Sequence, residues 1–346
     1  MEKEDIRKLE LPQLKKIVSE LGEAEFRAKQ IYEWIWKKSA TSFDEMSNLP
    51  LAFRQQLNEK FTFHNIVVDE KQVSKDGTAK YLFRLFDNQH VEGVLIPSFD
   101  RITLCISSQV GCSLGCNFCA TALFGFKRNL NFDEIYDQVA IMNRDSEEQY
   151  GKRISNIVFM GMGEPLLNYQ NVVLAINRIT SPNGLGISPQ RITVSTAGIA
   201  HKIKQLADDK LNVNLALSLN TADEKQRQKM MPITKKFGMK ELKEAVKYYA
   251  EKTRDIVTLE YIILKGVNDS VADIKLLKEF TAGLHVKLNL IEYNQTSHSR
   301  YISPAQDDIM KFKELLEENR FIVTIRRSKG KDIDAACGQL AGKAKT

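Results

Sequence analysis

The sequence predicts an α/β protein, a partial (β/α)6-type TIM barrel preceded by a small N-terminal α+β accessory domain. Three observations carry that prediction. From residue 101 onward, short β-type runs alternate with helical patterns, the signature of parallel β/α units. Residues 1–98 follow a different order, helices first and short strands after. A length of 346 residues accommodates two domains, and 43% hydrophobic with 27% charged residues supports packed cores rather than disorder. An open doubly wound sheet is the alternative arrangement of the same units. In either arrangement, chemistry belongs at the C-terminal ends of the parallel strands.

Along the chain, Ile31, Trp34 and Ile35 recur at helical spacing. Leu49-Pro50 opens another helix, continued by Phe53 and Leu57. FHNIVV (63–68), AKYLFRLF (79–86) and HVEGVLIP (90–97) read as strands, the last two flanking a hairpin turn at Asp87-Asn88. A boundary is expected near Ser98-Phe99-Asp100, which divides the chain into 1–98 and 99–346. Beyond it, strands are expected at 101–107, 154–160, 191–195, 213–219, 256–264, 286–291 and 321–326. Helices are expected between them, for example at 132–142, 171–179, 239–251 and 305–318.

The first ten residues, MEKEDIRKLE, lack the apolar core of a signal peptide, and no apolar run approaches the ~20 residues that span a bilayer. A cytoplasmic protein with no membrane partner is expected. Five cysteines are too few for a disulfide framework in a chain this long. Net charge is +6, unevenly spread: −1 over residues 1–98 and +5 over 320–346. A basic C-terminal segment points to a phosphate-rich partner, a solvated tail being the ordinary alternative.

Cys112-Ser-Leu-Gly-Cys116-Asn-Phe-Cys119 directly follows the first barrel-type strand. Three thiolates in one tight loop can hold three corners of a cubic iron–sulfur cluster, leaving the fourth iron open. No fourth cysteine is nearby, and the nearest histidines in sequence are His90 and His201. Structural zinc, the alternative, wants four closed ligands. Gly161-Met162-Gly163-Glu164-Pro165 follows the second strand. There the glycines let backbone approach a ligand, and Glu164 can accept from an ammonium group. Ser195, Ser218-Leu219-Asn220 and Asn294 end later strands, although each alone is ordinarily a cap or turn residue.

The Cys-x3-Cys-x2-Cys spacing resembles the signature of the radical S-adenosylmethionine (SAM) superfamily. Longer stretches resemble, in order, the radical SAM adenosine methyltransferases of 23S ribosomal RNA, the RlmN/Cfr family. These are residues 103–130, VFMGMGEPLLN (158–168), ITVSTAGI (192–199), LALSLN (215–220) and RRSKGKDIDAACGQLAG (326–342), with FRAKQIYEWIW (26–36) and VEGVLIP (91–97) in the accessory domain. GFKRNL and GEPLLN look like the branch that methylates C2 of adenine rather than C8. Asn220 departs from the His found there in many members.

The resemblance implies a radical SAM core with a [4Fe–4S] cluster on Cys112, Cys116 and Cys119. It implies two SAM molecules per turnover, with Gly163, Glu164, Ser195, Ser218, Leu219, Asn220 and Asn294 at the SAM site. The C2 carbon is electrophilic and carries no acidic proton, so polar methyl transfer fails there. In the family route one SAM methylates Cys337. A radical from the second takes hydrogen from that methyl group, and the carbon radical adds to C2. Cys105 then assists deprotonation and attacks the Cys337 sulfur, leaving a disulfide and methylated RNA. Glu92 aligns with a family proton acceptor. The implied partners are 23S rRNA, in some members tRNA, and a flavodoxin- or reductase-type electron donor, with the enzyme a monomer.

Read without the resemblance, Cys337 lies in a small, polar stretch that favours a reactive thiol on a mobile loop. Cys105 reads as core and Glu92 as an exposed strand carboxylate. Arg326, Arg327, Lys329, Lys331, Lys127, Arg128 and the run Lys225, Arg227, Lys229, Lys235, Lys236, Lys240 are candidate phosphate contacts, each also explicable as a solvated face. Trp34 and Trp36 are candidate base-stacking residues, Trp34 being the one expected in the core. Two competing readings stay open: a radical SAM enzyme on a non-RNA substrate, and a metal-stabilised RNA-binding protein without catalysis.

Overall fold

The structure, a computed structural model, describes residues 3–296 and 299–341. The N-terminal part comprises β1 (Glu4–Asp5), helices α1 (Leu11–Glu20), α2 (Phe26–Trp36) and α3 (Leu51–Lys60), and β2 (Phe61–Thr62). Strands β3 (Val67–Val73), β4 (Ala79–Arg84) and β5 (His90–Pro97) form an antiparallel meander. The expected hairpin is present between β4 and β5, with Asn88 in the left-handed conformation at φ 60°.

Next come β6 (Ile102–Cys105), the short hairpin β7 (Gln109–Gly111) and β8 (Phe126–Asn129), and α4 (Phe132–Tyr150). The units β9 (Asn156–Phe159)–α5 (Tyr169–Thr180) and β10 (Ile192–Thr196)–α6 (Ala200–Asp208) follow. Strand β11 (Asn214–Ser218) leads into two helices, α7 (Glu224–Met230) and α8 (Met239–Thr253). The last units are β12 (Val257–Ile263)–α9 (Val271–Thr281), β13 (Val286–Glu292)–α10 (Gln306–Glu318) and β14 (Val323–Arg326). Strands β6 and β9 to β14 are parallel neighbours in sequence order, so six β/α units are completed by a seventh strand.

All seven expected barrel strands are present, displaced by a residue or two at their ends. Helix α4 runs to Tyr150, well past residue 142. An Asn131–Glu134 capping box starts it and Gly151 stops it in the left-handed conformation. Strands β5 and β6 pair antiparallel, Val94 opposite Cys105, so one ten-stranded sheet continues across the turn at 98–100. The accessory strands are therefore hydrogen-bonded onto the barrel sheet. Trp36, not Trp34, is the core tryptophan, 1% exposed and edge-on to Tyr136 at 5.1 Å. Trp34 is half-buried, donates from Nε1 to Asn48 at 2.5 Å and carries Lys38 over its ring at 3.6 Å.

The N-terminal segment is tied to α4 by one buried guanidinium. Arg7 lies 3.1, 3.0 and 2.6 Å from carboxylates of Asp5, Asp133 and Asp137. Three acids share one cation. Burial pushes Asp133 up to about 7, while Arg7 holds Asp5 below its usual value. A folded value above the unfolded one means the folded state binds more protons between about pH 4 and 7. Stability from Asp133 is therefore greatest below about pH 4 and declines as pH rises towards 7. Urea unfolding should show that slope flattened in Asp133→Asn. Arg7→Met, which strands the carboxylates, should cost about 3–5 kcal/mol.

Candidate active site

The residue after each parallel strand faces the C-terminal rim, and there the site assembles. Strand β6 delivers Cys105, and the loop after it carries Ser107, Ser108 and Gln109. That loop interlocks with the Gly161–Glu164 turn: Ser107 Oγ accepts from Met162 N–H at 2.8 Å, and Gln109 Oε1 accepts from Glu164 N–H at 2.8 Å. Gly161 is required because a Cβ would lie 2.6 Å from the Ile106 carbonyl oxygen. Gly163 has φ +97°, and its Cβ would lie 2.5 Å from Gln109. Glu164 is buried, its carboxylate accepting from Leu166 N–H at 3.1 Å and Ala197 N–H at 2.7 Å. Burial pushes it up to about 7 against those bonds.

The cysteine loop is gripped by the β7–β8 hairpin, where Cys112 N–H donates to Gly125 at 3.1 Å. On the other side Asn117 N–H donates to Met230 at 3.0 Å, and its side chain donates to Lys229 at 2.6 Å. Cys112, Cys116 and Cys119 pack against one apolar recess of Leu114, Phe118, Met230, Met231 and Tyr293. Among the described residues no three His, Cys, Asp or Glu converge on a single-ion position. A mononuclear site needs that convergence; a cubane takes one thiolate at each of three corners. The donor set of three thiols in an apolar recess fits the cluster. His90 and His201 are engaged elsewhere, at Asp69 and Phe237.

Ser195 and Ser218 end β10 and β11 as expected, and Leu219 is buried beside them. Asn220 is buried at φ 60°, and its carboxamide serves the fold: Oδ1 accepts from Ile262 N–H at 3.1 Å and Nδ2 faces the Met231 sulfur at 3.3 Å. Asn294 donates to the Cys337 carbonyl at 3.4 Å.

Cys105 and Cys337, remote in sequence, line one cavity of about 560 Å³ with Met160, Asn289 and Arg326. Cys105 is 5% exposed and Cys337 half-buried. Burial, then the neighbouring Cys337, pushes Cys105 up to about 12; Arg326 and the Met160 N–H pull the other way. Arg326 itself is raised, first by Cys337, then by Glu260 and Cys105. Glu260, a carboxylate inside an otherwise apolar strand, accepts from Asn289 at 2.8 Å.

The segment bearing Cys337 is anchored on every side rather than loose. Asp76, in the β3–β4 turn, accepts from Gly330 N–H at 3.0 Å. Asp332 accepts from Ser74 Oγ at 2.5 Å and Lys75 N–H at 3.2 Å. Ala120 N–H donates to Gly338 at 2.7 Å, and Thr121 Oγ1 to Leu340 at 2.7 Å. Glu92 is buried, not exposed: its carboxylate accepts from Ala341 N–H at 2.6 Å and lies 3.3 Å from Lys80. Residues 342–346, the end of the basic segment, lie outside the described residues. Several candidate phosphate contacts are otherwise employed: Arg326 lines the thiol cavity and Lys331 lies 2.7 Å from Glu292. Arg227 is 1% exposed, and Arg128 pairs with Asp87 and Glu134 at 2.6 and 2.7 Å.

Residues 106–277 match the family model of the radical SAM superfamily, and residues 5–63 match the ribosomal RNA large subunit methyltransferase N-terminal domain. A probable dual-specificity RNA methyltransferase RlmN of Flavobacterium psychrophilum is 49% identical over 99% of both chains. The dual-specificity RNA methyltransferase RlmN of Geotalea uraniireducens is 43% identical over 99% of this chain and 98% of its own. The chain belongs to the RlmN family. It is a radical SAM RNA methyltransferase, in a family whose chemistry uses a [4Fe–4S] cluster and SAM. A crystal structure of a radical SAM methyltransferase from Sphaerobacter thermophilus superposes with a TM-score of 0.93, at 36% identity, over 98% of this chain and 100% of its own. No helix among the described residues is long and apolar enough to cross a membrane.

Two outcomes follow from the thiol pair and its clasp. At pH 8 a Cys105 near 12 is thiolate in roughly one molecule in ten thousand, so iodoacetamide should label Cys337 long before Cys105 by peptide mass spectrometry. Asp76→Asn with Asp332→Asn should quicken Cys337 labelling severalfold without changing far-ultraviolet circular dichroism.

Proposed function

We propose that the chain methylates C2 of an adenosine in the peptidyl-transferase centre of 23S rRNA, and of an anticodon-adjacent adenosine in tRNA. Cys337 is the methyl carrier and Cys105 the thiol that resolves it, closing a Cys105–Cys337 disulfide once per turnover. The observation that carries this reading is the shared cavity: two thiols remote in sequence face the same space, with a guanidinium beside both. Residues 99–346 act as the catalytic core and 1–98 as the accessory domain, in a cytoplasmic monomer supplied with electrons by a flavodoxin- or reductase-type donor.

Cys112, Cys116 and Cys119 would hold the cluster, and Gly163, Glu164, Ser195, Ser218, Leu219, Asn220 and Asn294 line the region for SAM. Bound there, cluster and SAM supply one-electron SAM cleavage, and SAM supplies the methyl group, two molecules per turnover. The protein's own residues do the rest. Arg326 lines the same cavity as Cys337 and sets a positive charge beside the sulfur that accepts the methyl group. Burial keeps Cys105 protonated, so it stays inert until a proton acceptor is aligned. Glu92 is the candidate acceptor. Its carboxylate accepts from Ala341 N–H, so in this conformation it positions the Cys337 segment.

The test uses anaerobic protein with reconstituted cluster, SAM, reductant and unmodified 23S rRNA, followed by nucleoside mass spectrometry. 2-Methyladenosine should form with the native protein and be absent with Cys337→Ala. Cys105→Ala should instead leave a covalent protein–RNA adduct. 8-Methyladenosine would keep the mechanism and overturn the position. SAM cleavage without methylated adenosine would overturn the RNA reading.

A further inference from the structure

Arg227 is a buried cation with no anionic side chain paired to it. It is 1% exposed. Its guanidinium donates to Leu219 O at 3.0 Å, Ser218 O at 3.0 Å, Ala197 O at 2.7 Å and Thr234 Oγ1 at 2.7 Å. All four acceptors are neutral, and among the described residues Arg227 forms no ion pair with a carboxylate. Burial of an unpaired charge is costly, and such groups are ordinarily matched by an opposite charge. The other buried guanidinium cluster in this chain obeys that rule, Arg7 being surrounded by three carboxylates.

Among the described residues, Cys116 is the group whose negative charge favours the charged form of Arg227 against burial. The helix carrying Arg227 is also the seat of the cysteine loop: Asn117 bonds Lys229 and Met230, and the three cysteines pack against the apolar cluster that contains Met230 and Met231. The fork to the ends of β10 and β11 leaves the guanidinium no freedom to swing.

We propose that Arg227 is the fixed counter-charge of the Cys116 thiolate and its iron–sulfur cluster, a positioning residue that sets how readily the cluster accepts an electron. This rests on the ligand assignment above. Reduction adds one electron from a low-potential one-electron donor, with no bond made or broken, and increases the negative charge at the cysteine loop by one. A buried positive charge beside that loop favours the reduced state. The neutral acceptors around Arg227 place the charge but do not offset it.

The experiment is an anaerobic redox titration, by absorbance and electron paramagnetic resonance, of the full-length reconstituted chain without RNA or SAM. Iron per chain is measured alongside. Thr234→Val removes one bond to Arg227 and keeps the charge; it should titrate as wild type. Arg227→Lys should stay close to wild type. Arg227→Gln should be at least tenfold harder to reduce, about 59 mV more negative for a one-electron couple. Equal titration of Arg227→Gln and wild type at equal iron content would overturn the proposal, as would the same shift in all three variants. If Arg227→Gln holds no cluster, Arg227→Lys decides: normal iron and a wild-type titration support the charge, and loss of iron or an equal defect overturns it. Wild-type protein that assembles no cluster would instead defeat the ligand assignment.

Discussion

The backbone clasp on residues 330–341 is the constraint on which the site depends. Cys337 follows the last barrel strand in a stretch with no regular structure beyond one helical turn, so nothing intrinsic would place its sulfur. Its position comes from partners distributed over the molecule: the β3–β4 turn through Asp76 and Ser74, strand β5 through Glu92, the cysteine loop through Ala120 and Thr121, and the end of β13 through Asn294. Several of these are bonds to carboxylates, stronger than neutral ones. Together they hold a segment that would otherwise sample many conformations within reach of Cys105.

Two arginines inside the barrel divide the electrostatic work. Arg326 ends β14, the strand immediately before the Cys337 segment, and faces both thiols and Glu260. Arg227 sits across the barrel mouth beside Cys116. Each lies beside a cysteine, Arg227 held by the ends of β10 and β11 and Arg326 carried by the end of β14. The barrel thus supplies two fixed cations, Arg227 buried and Arg326 half-buried, where solvent screening is reduced.

Much of this was legible in the sequence, and the reasons for the rest are physical. The strands of the barrel and the cysteine loop announce themselves through local pattern, and Gly161 and Gly163 through the backbone approach they permit. In the sequence Arg227 looks like part of a basic surface run because its neighbours Lys225 and Lys229 are charged. On a short helix, however, adjacent positions point to different faces, and of these three cations only Arg227 turns inward, on the face it shares with Met230. Trp34 and Trp36 were exchanged for the same reason. Glu92 sits in a strand whose residues are buried on both sides, so alternation gave no warning that its carboxylate lies inside. The clasp through Asp76 and Asp332 joins residues more than two hundred and fifty positions apart, beyond any local signal.

The continuity of the sheet explains why the accessory strands belong to the active site. Had 63–97 formed a separate module on a linker, its Ser74–Thr78 turn could meet the Cys337 segment only by chance, at the entropic cost of ordering two bodies. Instead β5 pairs with β6 in register, Val94 opposite Cys105, and β4 and β3 extend that sheet. The same hydrogen-bond ladder that places the Cys105 sulfur therefore places the turn that holds Cys337, and it carries Glu92 between them. One sheet thus carries the Cys105 sulfur and several of the groups that hold the Cys337 segment, and a change that shifts β5 against β6 would disturb both.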